Sequence, residues 1–283
     1  MTQRKVLITG AGSGLGRALA QRYAVAGCAV ACSDIVPERA LETATTIPGN
    51  GHMAFVVDVG SDAGFNSLYS SIVQRFGTPD VLINNAGIAS GGSLVETTMD
   101  EWRDVIEINL LGVVRGCRAF LPAMIERGSG RILNIASFAA IAAAPGAMSY
   151  GVAKAGVLAL SEQMRAEVHG TGVTVSVACP AFFKTNLLQN WSGSEKVRAR
   201  AAKLMERSKD TLDGVADRIF AATERGEFLI LPTHDEPKRW RMKRWFPNLY
   251  FKMLLKATAP MRPKAPEPAA EPQPDRKSPK RVE

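Results

Sequence analysis

Histidine is scarce in this chain, with three in 283 residues, and its four cysteines are scattered. His52, His169 and His234 lie far apart, and Cys28, Cys32, Cys117 and Cys179 form no CxxC pair. Neither metal-ligand spacing nor a disulfide framework can be read from them. Buried thiols in a reducing, cytoplasmic setting fit better, and no metal is expected. Long apolar runs are missing too. None approaches the roughly 18 residues of a membrane span, and Val6-Leu7-Ile8, after the basic start, is too short for a secretory leader. Acidic balance fails only near the end. The net charge is +8, yet residues 1–233 hold 22 Lys/Arg against 21 Asp/Glu, whereas 234–256 hold 7 against 2 and 257–283 hold 6 against 4. The basic character is therefore a C-terminal feature with its own explanation to find.

What is present suits one large domain over residues 1–233. At 46% hydrophobic and 22% charged, the chain can bury a full core. Short β-rich runs occur at 6–8, 29–33, 54–57, 81–83, 131–135, 173–178 and 228–231. Between them lie stretches with helical apolar spacing, notably Leu15–Ala26, Phe65–Phe76, Trp102–Met124 and Tyr150–Val168. Near-continuous apolar strands alternating with helices predict a parallel sheet covered on both faces, here an α/β, doubly wound sheet of seven strands. Ligands on such sheets bind beyond the strand C-termini, where strand order reverses. The alternation stops after Leu231. Residues 234–259 read as a basic-aromatic extension. Residues 260–283, with seven of the 16 prolines, read as a disordered tail.

Two stretches carry chemistry. The first strand runs into Gly10-Ala11-Gly12-Ser13-Gly14-Leu15-Gly16 and then a helix, a turn that lets backbone approach a pyrophosphate while the helix points its free N–H groups at the anion. Asp34, at the end of the second strand, stands where a carboxylate can accept hydrogen bonds from ribose hydroxyls. The second stretch is MSYGVAKAG, residues 148–156, which sets Tyr150 and Lys154 one helical turn apart on a shared face among small neighbours. A phenol of pKa about 10 is a poor base. A cation about 4 Å away, at an effective dielectric of about 20, contributes about 4 kcal/mol, which predicts a phenol pKa lowered by roughly three units. Such a pair is a general acid–base working near ambient pH.

Gly10-x3-Gly14-x-Gly16, Asn84-Asn85-Ala86-Gly87, Ser137 and Tyr150-x3-Lys154, in order over residues 4–232, resemble the short-chain dehydrogenase/reductase family with its Rossmann-type sheet. The resemblance implies a catalytic set of Ser137, Tyr150, Lys154 and Asn109. Ser137 would hold the reacting oxygen, and Asn109 would anchor a water that relays protons toward Lys154. It also implies cofactor contacts from Gly10, Ser13, Gly14, Leu15 and Gly16, from Asp34, Asp58 and Val59, and from Asn85, Ala86 and Gly87. Lys154 and Tyr150 would meet the nicotinamide ribose, and Pro180, Phe183 and Thr185 would meet the carboxamide side. Ala181 replaces the family's usual glycine after Pro180. Because Asp34 would repel a 2′-phosphate, and Ser13 and Ile35 stand where the family places a basic residue, NAD is expected over NADP.

Residues 186–211 occupy the place of the family's helical lid. Leu187, Leu188, Trp191 and Phe182-Phe183, with the uncharged stretch FAAIAAAPGAM after Ser137, suggest a pocket for a lipophilic alcohol or ketone, or else plain lid packing. The rival activity is an NADP-dependent reductase of small or acyl substrates. A dinucleotide-binding regulator without turnover is the other alternative. A homodimer or homotetramer is implied by the resemblance. Residues 238–256 interleave cations with Trp240, Trp245, Phe246, Tyr250 and Phe251, and Pro247 divides them into two short pieces. Three roles stay open for this strip: peripheral contact with the inner face of an anionic membrane, a cover over the active-site entrance, or a subunit contact. A near-neutral core argues against nucleic acid.

Overall fold

The first strand, β1 (Lys5–Thr9), sends alternate side chains to opposite sides, Leu7 into one apolar core and Val6 and Ile8 into another. The strands β2 (Ala29–Asp34), β3 (Met53–Val56), β4 (Val81–Asn84), β5 (Gly130–Ile135), β6 (Val173–Ala178) and β7 (Leu229–Ile230) join it. All pair in parallel, in the order β3-β2-β1-β4-β5-β6-β7. The computed structural model describes residues 3–185, 187–188 and 191–259. The expected disordered tail, 260–283, lies outside them. The seven-stranded doubly wound sheet is as expected, with every strand within one residue of its expected bounds. Leu7, Ile8, Leu82, Ile83, Ile132 and Leu133 are fully buried, and each contributes roughly 1.5–3 kcal/mol by leaving water.

Strand order reverses between β1 and β4. Helix Gly14–Val25, which follows β1, packs Leu15 and Leu19 into the core that holds Ile8. The helix after β4 packs Val113, Phe120 and Met124 into the core that holds Leu7. The two connections leave on opposite faces, so a crevice opens between them at the strand C-termini. The helical rod Met99–Arg127 has the length and mean hydropathy, 1.4, of a membrane span, but its apolar face lies in the core. It carries a π-turn at Glu107–Leu111, with Asn109 fully buried inside it. Such a turn inserts one extra residue and often marks a functional site. All four cysteines are free and buried, and burial pushes Cys32, Cys117 and Cys179 up to about 12.

Beyond the sheet, Ala89–Gly91 pairs in parallel with Trp191–Gly193, which pins this part of the segment expected as a lid to the loop after β4. The segment continues as helix Glu195–Glu206. Asp210, just past it, is buried; it pairs with Arg218 and lies 2.6 Å from His234 Nδ1, while His234 N donates to it at 3.2 Å. The C-terminal extension forms two helices, Glu236–Trp245 and Pro247–Ala257. Pro247 separates them because it lacks the N–H to continue one helix and suits the first turn of the next. Their inner side rests on the turn Ala139–Ala142: Lys243 Nζ donates to Ile141 O, and Tyr250 OH donates to Ala142 O at 3.0 Å. Arg200 of helix Glu195–Glu206 donates to Ala257 O at 3.2 Å.

Candidate active site

The glycine turn is closed by backbone contact. Gly10 turns the chain with φ +66°, and a Cβ on Gly16 would stand 2.1 Å from Gly10 O. No side chain fits there. Asn85 Nδ2 donates to Thr9 O at 3.0 Å and Gly10 O at 3.1 Å, and Thr9 Oγ1 accepts from the backbone N–H groups of Asn85 and Ala86. The Asn85 amide, expected to face a cofactor, is thus spent bracing the turn. Leu15 is likewise in the core. Ser13 precedes helix Gly14–Val25 and makes no capping bond with its side chain, so the helix start keeps free N–H donors.

Asp34 is buried at the end of β2. Its Oδ2 accepts from Gly12 N at 3.0 Å and its Oδ1 from Val36 N at 3.1 Å. A Cβ on Gly12 would meet Asp34 Oδ2 and Arg39 Cβ, each at 2.6 Å. Arg39 therefore stands beside the carboxylate, a neighbour the sequence reading missed. The available signal was a basic residue in the first turn of helix Pro37–Thr46. Asp58 is exposed on the lip with Oδ1 accepting from Gly60 N at 2.9 Å, and Val59 is buried beneath.

Across the crevice, Thr185 Oγ1 lies 2.9 Å from where Gly14 would carry a Cβ, so the segment after β6 reaches back to the glycine turn. Pro180 is buried, and its carbonyl accepts from Phe138 N at 2.8 Å and from Ser137 Oγ at 3.4 Å. Phe183 was expected in the pocket and at the cofactor. Its side chain is instead 6% exposed in the core with Leu15 and Ile135, where its large apolar ring leaves water. Asn109 Oδ1 accepts from Ile88 N at 2.8 Å and Nδ2 donates to Ile88 O at 2.9 Å, so its amide is engaged by the loop after β4. Gly87 sits between it and the lysine: a Cβ there would lie 2.7 Å from Asn109 Oδ1 and 3.5 Å from Lys154 Nζ.

Tyr150 and Lys154 share a face of helix Met148–Glu167, with Nζ 5.9 Å from the ring centroid. Lys154 is 4% exposed and donates to Ile135 O at 2.8 Å. Burial pushes its pKa down to about 8. Burial pushes the Tyr150 phenol up, and the Ser137 hydroxyl offsets part of that as its hydrogen-bond partner. The expected lowering of the phenol by a nearby charge is not found. The ammonium is engaged by Ile135 O, and desolvation is the larger effect on both groups. The two are neighbours on one helix face, Tyr150 half-buried and Lys154 buried.

The sequence profile described as short chain dehydrogenase matches residues 4–196. Meso-2,3-butanediol dehydrogenase of Serratia marcescens is 30% identical over 224 residues, covering 79% of this chain and 89% of that protein. The protein named probable oxidoreductase EphD, of Mycobacterium tuberculosis, is 33% identical over 232 residues, or 78% of this chain. The chain spans only 39% of the length of EphD. Among solved structures, a short chain dehydrogenase/reductase from Burkholderia phymatum in complex with NAD superposes with a TM-score of 0.81 at 27% identity, covering 87% of this chain and 95% of that one. A profile match over well more than half of its residues, on the sheet and motifs described, settles the kinship: the chain belongs to the short-chain dehydrogenase/reductase family.

Proposed function

We propose that the chain is an NAD-dependent oxidoreductase that interconverts an apolar alcohol and its carbonyl compound. The observation that carries this reading is the placement of Tyr150 beside Ser137 with Lys154 buried one turn away, at the strand edge that also bears the glycine turn. The turn fits a dinucleotide, since Gly10 and Gly16 leave backbone where a Cβ would collide. Gly10, Ser13, Gly14 and Gly16 would hold the pyrophosphate, Asp34 the adenosine ribose with Asp58 and Val59 nearby, and Thr185 with Lys154 the nicotinamide half. Bound there, the nicotinamide ring supplies or accepts the hydride.

The residues of the chain handle the proton. Ser137 orients the substrate oxygen toward the Tyr150 hydroxyl, which takes the alcohol proton in oxidation and returns it in reduction. Lys154, with its pKa brought down to about 8, lets the pair shed one proton near that pH. Phenolate with ammonium and phenol with amine contain the same number of protons, so the basic form of Tyr150 is reached without a further loss. Asn109 acts as a positioning residue, fixing Ile88 and the Gly87 backbone against Lys154.

The substrate reading rests on the cleft wall. Residues 138–148 carry no charge, and Phe182 and Leu187 show 46% and 38% of their surface. Asp34 disfavours a 2′-phosphate, and this supports NAD over NADP. Tyr150→Phe should keep NADH affinity, read by nicotinamide fluorescence, and lose about 10²–10⁴-fold in turnover over a panel of apolar alcohols and ketones; a variant turning over at the wild-type rate would overturn the assignment. Asp34→Ser should raise the NADP to NAD ratio of kcat/KM by about tenfold or more, with Arg39 left to meet the phosphate, and a wild-type enzyme that prefers NADP would reverse the cofactor reading.

A further inference from the structure

The C-terminal helix pair has an inner side, which holds the turn Ala139–Ala142, and an outer one. Away from that turn Trp245, Phe246, Leu249 and Met253 are 69, 63, 52 and 50% exposed, and Phe251, on another face of the second helix, is 56% exposed. Five large apolar side chains, each at least half exposed within nine consecutive residues, form a cluster rather than the usual scatter of surface leucines. Arg241, Arg244, Lys252 and Lys256 are exposed among them, and residues 237–256 contain no Asp or Glu. On helix Pro247–Ala257 the spacing sets Leu249 and Met253 on one face with Lys252 and Lys256 at their flank.

The chemistry of the patch selects its occupant. A second copy meeting it face to face would press one acid-free basic surface against another. The rest of this chain offers little to cover it, since Met261 and Val282 are the only large apolar residues in 260–283. A bilayer with anionic headgroups supplies both complements at once, an apolar layer for the aromatic side chains and negative charge for the cations. We propose that the outer face of the helix pair 236–257 docks on an anionic phospholipid surface. The docking is independent of the reaction assigned above. It lies close to the cleft all the same: Tyr250, between exposed Leu249 and Phe251, bonds Ala142 O in the turn that follows Ser137.

Flotation of the full chain with phosphatidylglycerol-containing and with pure phosphatidylcholine vesicles tests this. The wild type should float with the anionic vesicles and lose that association as salt rises. Lys252→Gln/Lys256→Gln should bind about thirtyfold more weakly, at about fivefold per cation. Trp245→Ser/Phe246→Ser/Leu249→Ser should stay at the bottom of the gradient while binding NADH as the wild type does, which reports an intact fold. Wild-type flotation that is absent, or equal on neutral and anionic vesicles, overturns the proposal, as does a triple variant that floats unchanged. A triple variant that falls apart into smaller species by sedimentation, beside a wild type indifferent to vesicles, would assign the patch to contact between copies instead.

Discussion

Lys154 carries its charge where water cannot reach it, and this sets a pH dependence of opposite sign to that of a paired lysine. Its ordinary value of 10.5 falls to about 8 on burial. Below pH 8 the folded and unfolded chains are both protonated, and the fold bears the whole burden of the buried charge. Between pH 8 and 10.5 the unfolded chain still holds a proton that the folded chain has released, so the contribution of this group to stability rises with pH. At about 1.4 kcal/mol per pKa unit, the swing is on the order of 3 kcal/mol. Lys154→Met should therefore stabilise the protein near pH 7 and lose that advantage toward pH 10, as read by denaturant unfolding of the two proteins side by side. An advantage that stays constant would show that burial leaves the proton affinity of this lysine unchanged. The same variant should lack the rise in alcohol oxidation near pH 8 expected of the wild type. The four-residue spacing of Tyr150 and Lys154 was enough to place both on one face. It could not reveal where four flexible methylenes end, and the carbonyl of Ile135 decided that.

Among the elements, legibility followed side-chain type. Runs rich in Val, Ile and Leu were found as strands because branched apolar side chains fit a sheet buried on both faces. Ala89–Gly91, spelled ASG, has no such signature and owes its pairing to Trp191–Gly193, a hundred residues away. The π-turn at Glu107–Leu111 was equally hidden, because the grip of Asn109 on Ile88 is a tertiary contact. Pro247, by contrast, divided the C-terminal helices as its ring geometry requires. The short pairing makes a prediction of its own. A Cβ on Gly91 would meet the Trp191 indole at 2.5 Å and Val197 at 2.7 Å, so Gly91→Val should push the lid segment outward. Substrate KM should rise severalfold with NADH affinity unchanged; an unaltered KM would mean that this pairing does not shape the pocket.

At the scale of the whole molecule, topology was legible because each crossover between parallel strands must run back along one face, and alternation of runs counts the crossovers. The position of the C-terminal extension was not. Its composition suits a bilayer, a partner or its own core alike, and only coordinates distinguish an inner side on Ala139–Ala142 from an outer one. One further consequence follows from Asp210. Asp210 itself lies at the exit of segment 191–211, and its carboxylate ties that exit to the next helix through Arg218 and to the entry of the C-terminal helices through His234. A change at this one carboxylate is therefore felt at both segments, at the exit of one and the entry of the other.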